Sequence, residues 1–177
     1  ELLGHIAPPD TLHRALGELV AEGFLDHLPD GSYRFGDGAL HEVAYQGVLQ
    51  AQRRSWHEAA AEVLAARSDL AGDRGLAALL AHHLLRAGQP VEALAHALSA
   101  ASDRSHPGGW VKTARVLRTL ILPQEPPLLP GSGDAWRATT ALADLEERMG
   151  WLERALDHWG MAADSAEDAR QEVEASA

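Results

Sequence analysis

The sequence contains no cysteine. Disulfides, thiolate nucleophiles and cysteine-ligated zinc sites are excluded, and the chain suits a reducing, cytoplasmic setting. No apolar run approaches the roughly 20 residues a membrane-spanning helix requires, so no membrane partner is expected. There is no Gly-rich loop ending in Lys-Ser/Thr that could cradle phosphates, and no His-Glu-x-x-His pattern. Aromatic residues are scarce at 5%, and Lys112 is the one lysine beside fourteen arginines. These gaps remove most sequence routes to catalysis. No catalytic, cofactor-binding or metal-binding residue is assigned, no cofactor is expected, and the chain is read as not an enzyme.

What remains is 46% hydrophobic, dominated by Ala and Leu over 177 residues. That is enough to bury a core, and these two residue types favour helix packed on helix. The net charge is -11. Residues 1–45 hold eight acidic and two basic side chains, residues 46–134 eight and nine, and residues 135–177 ten and four. No segment forms the basic stripe that phosphate neutralisation needs, which makes nucleic acid an unlikely partner.

Local patterns divide the chain. After Pro8-Pro9, Asp10 or Thr11 is placed to cap a helix with an apolar stripe of Leu12, Ala15, Leu16, Leu19 and Val20, ended by Gly23. Residues 24–28 and 32–35 flank Pro29-Asp30-Gly31 and predict a β-hairpin. A helix followed by a hairpin is the back half of a winged helix, whose first helices would lie before Glu1 or within residues 1–6. Because the chain starts Glu1-Leu2-Leu3 without Met, it is read as a segment of a longer protein.

Residues 39–67 predict a helical stretch broken near Gly47, with Leu40, Val43, Ala44, Val48, Trp56, Ala60, Val63 and Leu64 as its apolar face. A turn over 68–75 separates it from helices over 76–87, 91–104 and 110–122. Residues 123–134, rich in Pro and Gly, are expected to form an extended linker. Asp134 would cap a helix over 135–149, and Gly150 would separate it from a partner over 151–168, with the acidic tail beyond about 169 fraying.

Gly88, Gly109 and Gly150 are each followed five residues later by alanine: Ala93, Ala114 and Ala155. Around Gly150 the pattern extends to Leu142, Trp159 and Ala162; around Gly88 the same offsets give Leu80, Ala97 and Ala100. At Gly109, Arg118 occupies the large-residue slot. Glycine permits the tight turn and small alanine lets the second helix approach the first. These spacings resemble the tetratricopeptide repeat.

A second resemblance lies in YRFGDGALHEVAYQGVLQAQRRSWHEAAAEVL over residues 33–64. Through Tyr33, Arg34, Phe35, Glu42, Val43, Ala44, Tyr45, Leu49, Arg53 and His57 it is similar to the segment following the ATPase of bacterial STAND-class regulators. These include large LuxR-type transcriptional regulators and ATPase-coupled nucleotide cyclases. Residues 79–94 also resemble that family's first repeat. Two positions depart: Asp37 stands where the family usually has His, and His41 where it usually has Arg.

The resemblance implies a mainly α chain. A partial winged helix at 1–45 is followed by tetratricopeptide-like repeats at 46–122, a linker at 123–134, and a further helix pair with an acidic tail at 135–177. It implies a non-catalytic regulatory scaffold whose partners are proteins: other domains of the parent, or copies of itself. The alternative is a DNA-binding winged-helix transcription factor fragment, reading sequence through residues 11–22. Against it, Arg14 stands among Glu18 and Glu22, and Arg34 among Asp26, Asp30 and Asp37.

A few side chains are of types that could carry chemistry. His82 and His83 are adjacent, so on a helix they point about 100° apart and cannot share one ion. Glu42 and His57 lack a nucleophile or oxyanion donor and are expected to bond to each other across helices. Arg53 or Arg54 is expected to pair with a carboxylate of the first forty-five residues. Trp110, Trp136, Trp151 and Trp159 are candidate groove residues; Trp159 is expected to be buried in the repeat core, and Trp136 and Trp151 to be exposed at helix starts. The partner-binding residues stay unassigned.

Overall fold

The computed structural model describes residues 8–66, 74–104, 107–122, 129 and 132–175. Within them the chain is mainly helical, with one two-stranded antiparallel sheet. It parts into two compact units, Glu1–Val63 and Leu64–Ala177.

In the first unit, α1 spans Pro9–Ala21, with Asp10 in its first turn. Its N-cap is Pro8, with no side-chain cap, rather than Asp10 or Thr11; Pro9 presets the helical φ and has no N–H to satisfy. The helix stops at Gly23, which takes φ 76° and lets Phe24 N–H donate to the Leu19 carbonyl at 2.9 Å. Strands β1 (Leu25–His27) and β2 (Tyr33–Phe35) pair with Leu25 opposite Phe35 and His27 opposite Tyr33. The connecting turn is fixed by Gly31 at φ 80° and by Asp30, whose carboxylate accepts from the Ser32 N–H at 2.9 Å.

Helices α2 (Gly38–Gln46) and α3 (Gln50–Ala65) follow, broken at Gly47 as expected. Asp37, one of the two departures from the family pattern, caps α2 by accepting from Ala39 N–H at 2.7 Å. The expected apolar face is only partly buried: Ala60 and Leu64 lie inside, while Val43 and Ala44 face solvent. In α2 no residue is fully buried, so periodicity there marks a face that this unit does not cover.

The second unit contains α4 (Arg74–Arg86), α5 (Pro90–Ala101), a 3-10 turn at Pro107–Gly109, α6 (Trp110–Ile121), α7 (Ser132–Arg148) and α8 (Leu152–Ala175). Helix α4 packs on α5, α6 on α5 and α7, and α7 on α8. Its core joins Leu94, Ala97, Ala101, Ala114, Val116, Leu117, Leu120, Leu129, Ala138, Leu142 and Leu145.

Two of the three glycine positions share one geometry. Gly88 and Gly150 have φ 80° and 77°. Their N–H groups donate to Leu85 and Glu147, and those of Gln89 and Trp151 donate to Leu84 and Glu146. Both helices thus end in the same left-handed cap. Leu80 and Leu142, Ala93 and Ala155, and Ala100 and Ala162 are buried in register around them. Gly109 differs: at φ -84° it is a right-handed N-cap of α6 after the 3-10 turn.

An added Cβ at Gly150 meets nothing within 4 Å, so only the backbone conformation resists substitution. Gly150→Ala is expected to cost about 1–2 kcal/mol in denaturant unfolding, because a left-handed conformation is disfavoured for an L side chain. An unchanged midpoint would show that the turn relaxes at no cost.

Three expectations about the C-terminal half change. Helix α7 begins at Ser132, so Asp134 lies in its first turn instead of capping it. Leu129, inside the expected linker, is buried in the core; residues 123–128, 130 and 131 lie outside the described residues. Helix α8 continues to Ala175 rather than ending at 168. Of the expected turn over 68–75, residues 68–73 lie outside the described residues, as does the segment 1–6, while Arg74 and Gly75 begin α4 instead of ending the turn.

Candidate functional site

The second unit has an open groove of about 440 Å³, formed by Leu98 of α5, Trp136, Arg137, Thr140, Ala141 and Asp144 of α7, and Trp159 of α8. The α7 positions recur at helical spacing, so one face of that helix supplies most of the lining. The opposite face buries Ala138, Leu142, Leu145 and Glu146 and fixes the helix in place. Trp136 is 42% exposed, as expected for a helix-start tryptophan. Trp159 is 38% exposed, which corrects the expectation of a buried slot filler: the corresponding residue of the first hairpin, Ala97, is the buried one.

Polar groups set limits on what the groove accepts. Arg137 reaches Asp134 at 3.4 Å, a long contact on the surface. Asp144 is tied to Arg148, whose Nη1 also donates to the Ala101 carbonyl at 2.7 Å. The Arg148 guanidinium lies 5.9 Å from the Trp110 ring centroid, and Trp110 Nε1 donates to the Asp103 carbonyl at 2.9 Å. Trp110 is thus used in holding α6 to the preceding loop, not in lining the groove. Thr140 Oγ1 is buried without a hydrogen-bond partner among the described residues. The groove thus offers aromatic surface from Trp136 and Trp159, a small apolar floor, and the polar groups of Arg137, Thr140 and Asp144.

Beneath the groove lies a charged contact that no sequence signal announced. Glu146 is fully buried. Arg118 of α6 donates to its Oε1 at 2.5 Å, and His158 Nδ1 of α8 lies 2.6 Å from its Oε2. Both carboxylate oxygens are therefore engaged, as burial of a charge demands. Arg118, the residue in the large slot of the third glycine pattern, serves here as the partner of a carboxylate on the neighbouring helix.

In the first unit the resemblance motif converges on Tyr45. Its hydroxyl lies 3.0 Å from His57 Nε2, the Arg53 guanidinium sits 4.9 Å over its ring, and His41 stacks on it at 6.0 Å. Phe35 meets the edge of His41 at 5.1 Å. Phe35, His41, Ala44, Tyr45, Val48 and Trp56 line an apolar pocket of about 300 Å³. Glu42 does not bond to His57; it accepts from Gln46 Nε2 one turn on, at 2.6 Å, because both lie on α2 and the ring of Tyr45 has taken His57. Arg53 likewise reaches Gln46 Oε1 at 3.2 Å and the Tyr45 ring rather than a carboxylate. Tyr45 and His57 share one hydroxyl–imidazole contact, and the rings stacked around it make the cluster a packing hub.

His82 and His83 meet edge to face at 5.4 Å. Among the described residues no group of three His, Asp or Glu side chains could hold a metal ion. Burial, and secondarily Lys112, lowers the pKa of His83 below its ordinary 6.5. The unfolded chain then binds the proton more readily than the native one. The contribution is complete above pH 6.5 and is lost as pH falls through the lowered native value. His83→Gln is expected to narrow the gap between denaturant midpoints measured at about pH 7 and about pH 5. An unaltered gap would assign the acid sensitivity to other groups.

No helix among the described residues is long and apolar enough to cross a membrane. Comparison with protein-family models, curated proteins and solved structures finds no match for this chain, so its site stands on its own geometry.

Proposed function

We propose that the chain is a non-catalytic protein-interaction scaffold, the winged-helix and tetratricopeptide-like segment of a bacterial STAND-class ATPase regulator. The observation that carries this reading is the paired geometry of the Gly88 and Gly150 hairpins: the same left-handed cap, with buried Leu, Ala and Ala at matching offsets. Stacked hairpins of this kind present one helix face as a groove, and here that face bears Trp136, Arg137, Thr140 and Asp144. Its role would be to hold a protein segment, from the parent or a partner, and so restrain or release an output. The experiment is light scattering and output measurement on the parent protein, with and without ATP, comparing the natural groove with a Trp136→Ala/Arg137→Ala variant. A change in nucleotide-dependent assembly is expected. Unchanged assembly and output would remove the relay role.

The DNA-binding alternative gains nothing from the charges. Arg34 is paired with Asp26 at 3.1 Å, leaving the hairpin without a cation held ready for phosphate. A mobility-shift assay with duplex DNA at low salt is expected to show no complex. A complex that weakens steeply with added salt would reinstate that reading.

A further inference from the structure

Gly88 and Gly150 stand 62 positions apart, and this offset aligns α5 with α8. Leu94, Ala97 and Ala101 of α5 then correspond to Leu156, Trp159 and Ala163 of α8. The first three are buried in the core, where α5 packs on α6 and α7. The second three are not: Leu156 is 71% exposed, Trp159 38%, and Ala163 also faces solvent. Leu152, 60% exposed, begins the same stripe. Spacings of four, three and four put all four residues on one helix face. The stripe lies beside the buried Ala155 and Ala162, which face α7, so α8 has one apolar face in use and an adjoining one open.

The chain itself indicates what covers such a face. On α5 the covering element includes α6, an amphipathic helix that buries Thr113, Ala114, Val116, Leu117 and Leu120. Its charged residues are Lys112, Arg115 and Arg118, with no acidic residue. One edge of the α8 stripe carries Glu153, Asp157 and Asp164, all exposed. The only exposed cation on the described part of α8 is Arg154, which lies 5.1 Å from the Trp151 ring centroid on another side of the helix. The apolar stripe and acidic edge together fit an apolar helix face bordered by Lys and Arg.

We infer that the outer face of α8, Leu152, Leu156, Trp159 and Ala163 with its acidic edge, is a docking surface for a basic amphipathic helix of a partner protein. A second copy of this chain fits less well. A two-fold antiparallel pairing of α8 with itself brings the two acidic edges together, and like charges at an interface oppose association. The surface meets the groove on α7 at Trp159, which lines both, and runs from there along α8 through Leu156 and Leu152; the inference rests on the same hairpin correspondence as the proposed function.

The test is fluorescence anisotropy of the intact chain with a labelled synthetic peptide of residues 109–122, the α6 sequence. Controls are the same peptide carrying K112E, R115E and R118E, and the protein variants Leu156→Glu, Leu152→Glu and Trp136→Ala, each checked for helicity by circular dichroism. Saturable binding is expected, weakened by salt and reduced about tenfold or more by either Leu→Glu variant and by charge reversal of the peptide. Trp136→Ala, in the groove, should leave it unchanged. Absence of binding, equal affinity for the charge-reversed peptide, or equal affinity of both folded Leu→Glu variants overturns the proposal. So does a concentration-dependent dimer in light scattering that Leu156→Glu abolishes, since the occupant would then be a second copy. If Trp136→Ala alone abolishes peptide binding, the peptide occupies the groove; the scaffold reading then stands and the α8 surface falls.

Discussion

Replacing Leu142 with alanine is expected to lower the unfolding free energy by about 3–4 kcal/mol. Leu142 is fully buried and sits in the core cluster with Leu117, Leu120, Ala138 and Leu145. Truncation removes its transfer free energy and leaves a void that two flanking helices must either tolerate or close. Partial closure is hindered because Arg148 at the end of α7 donates to the Ala101 carbonyl of α5 and ties the two helices together. Urea denaturation followed by far-ultraviolet circular dichroism measures it. A loss below about 1 kcal/mol would mean that α7 shifts to fill the space, contrary to the close packing described. The equivalent change at Leu80, slightly less buried, is expected to cost somewhat less.

Arg118→Ala is expected to cost about 3 kcal/mol, for a different reason. The side chain of Arg118 is 38% exposed, yet its partner Glu146 is fully buried. Removing the guanidinium leaves a carboxylate inside the core with His158 as its one remaining partner among the described residues. Stranding a buried charge is far more costly than deleting a surface ion pair. The double variant Arg118→Met/Glu146→Leu is expected to recover most of the loss, because both charges go and apolar volume replaces them. If the double variant is as unstable as the single one, the cost is lost packing and not a stranded charge. The comparison also asks what the contact is for. It ties α6, α7 and α8 at one point, so it sets how the second hairpin sits against the helix before it.

Much of the helical order was legible in the residues. Glycine located the helix ends at Gly23, Gly88 and Gly150, because each takes a left-handed conformation that selects glycine wherever it occurs in the chain. The Pro-Asp-Gly turn gave the hairpin for the same local reason. Helix starts were less legible. Pro8 leads α1 without a side-chain cap, and α7 starts at Ser132 inside a stretch that composition alone assigns to a linker. Leu129 shows why: its contribution to the core depends on residues far away in sequence.

The site was less legible than the fold. Trp136 is exposed at a helix start as its position suggested, but the groove exists only because Leu98 of α5 and Trp159 of α8 come beside it. Tyr45 was one residue of a motif until folding placed His57, Arg53 and His41 around it. Glu146 gives no sign of burial in the sequence; nothing local distinguishes it from Glu147 beside it, which is exposed.

The sequence by itself determined the helical class, the turn positions and the lack of cysteine chemistry, since each follows from residue type and short-range backbone preference. Tertiary structure decided which apolar faces are covered and which charges are paired. Val43 and Leu156 are apolar and exposed, and Glu146 is charged and buried. The reason is that burial is a property of the element packed alongside, and periodicity records only that a face exists, not what lies against it.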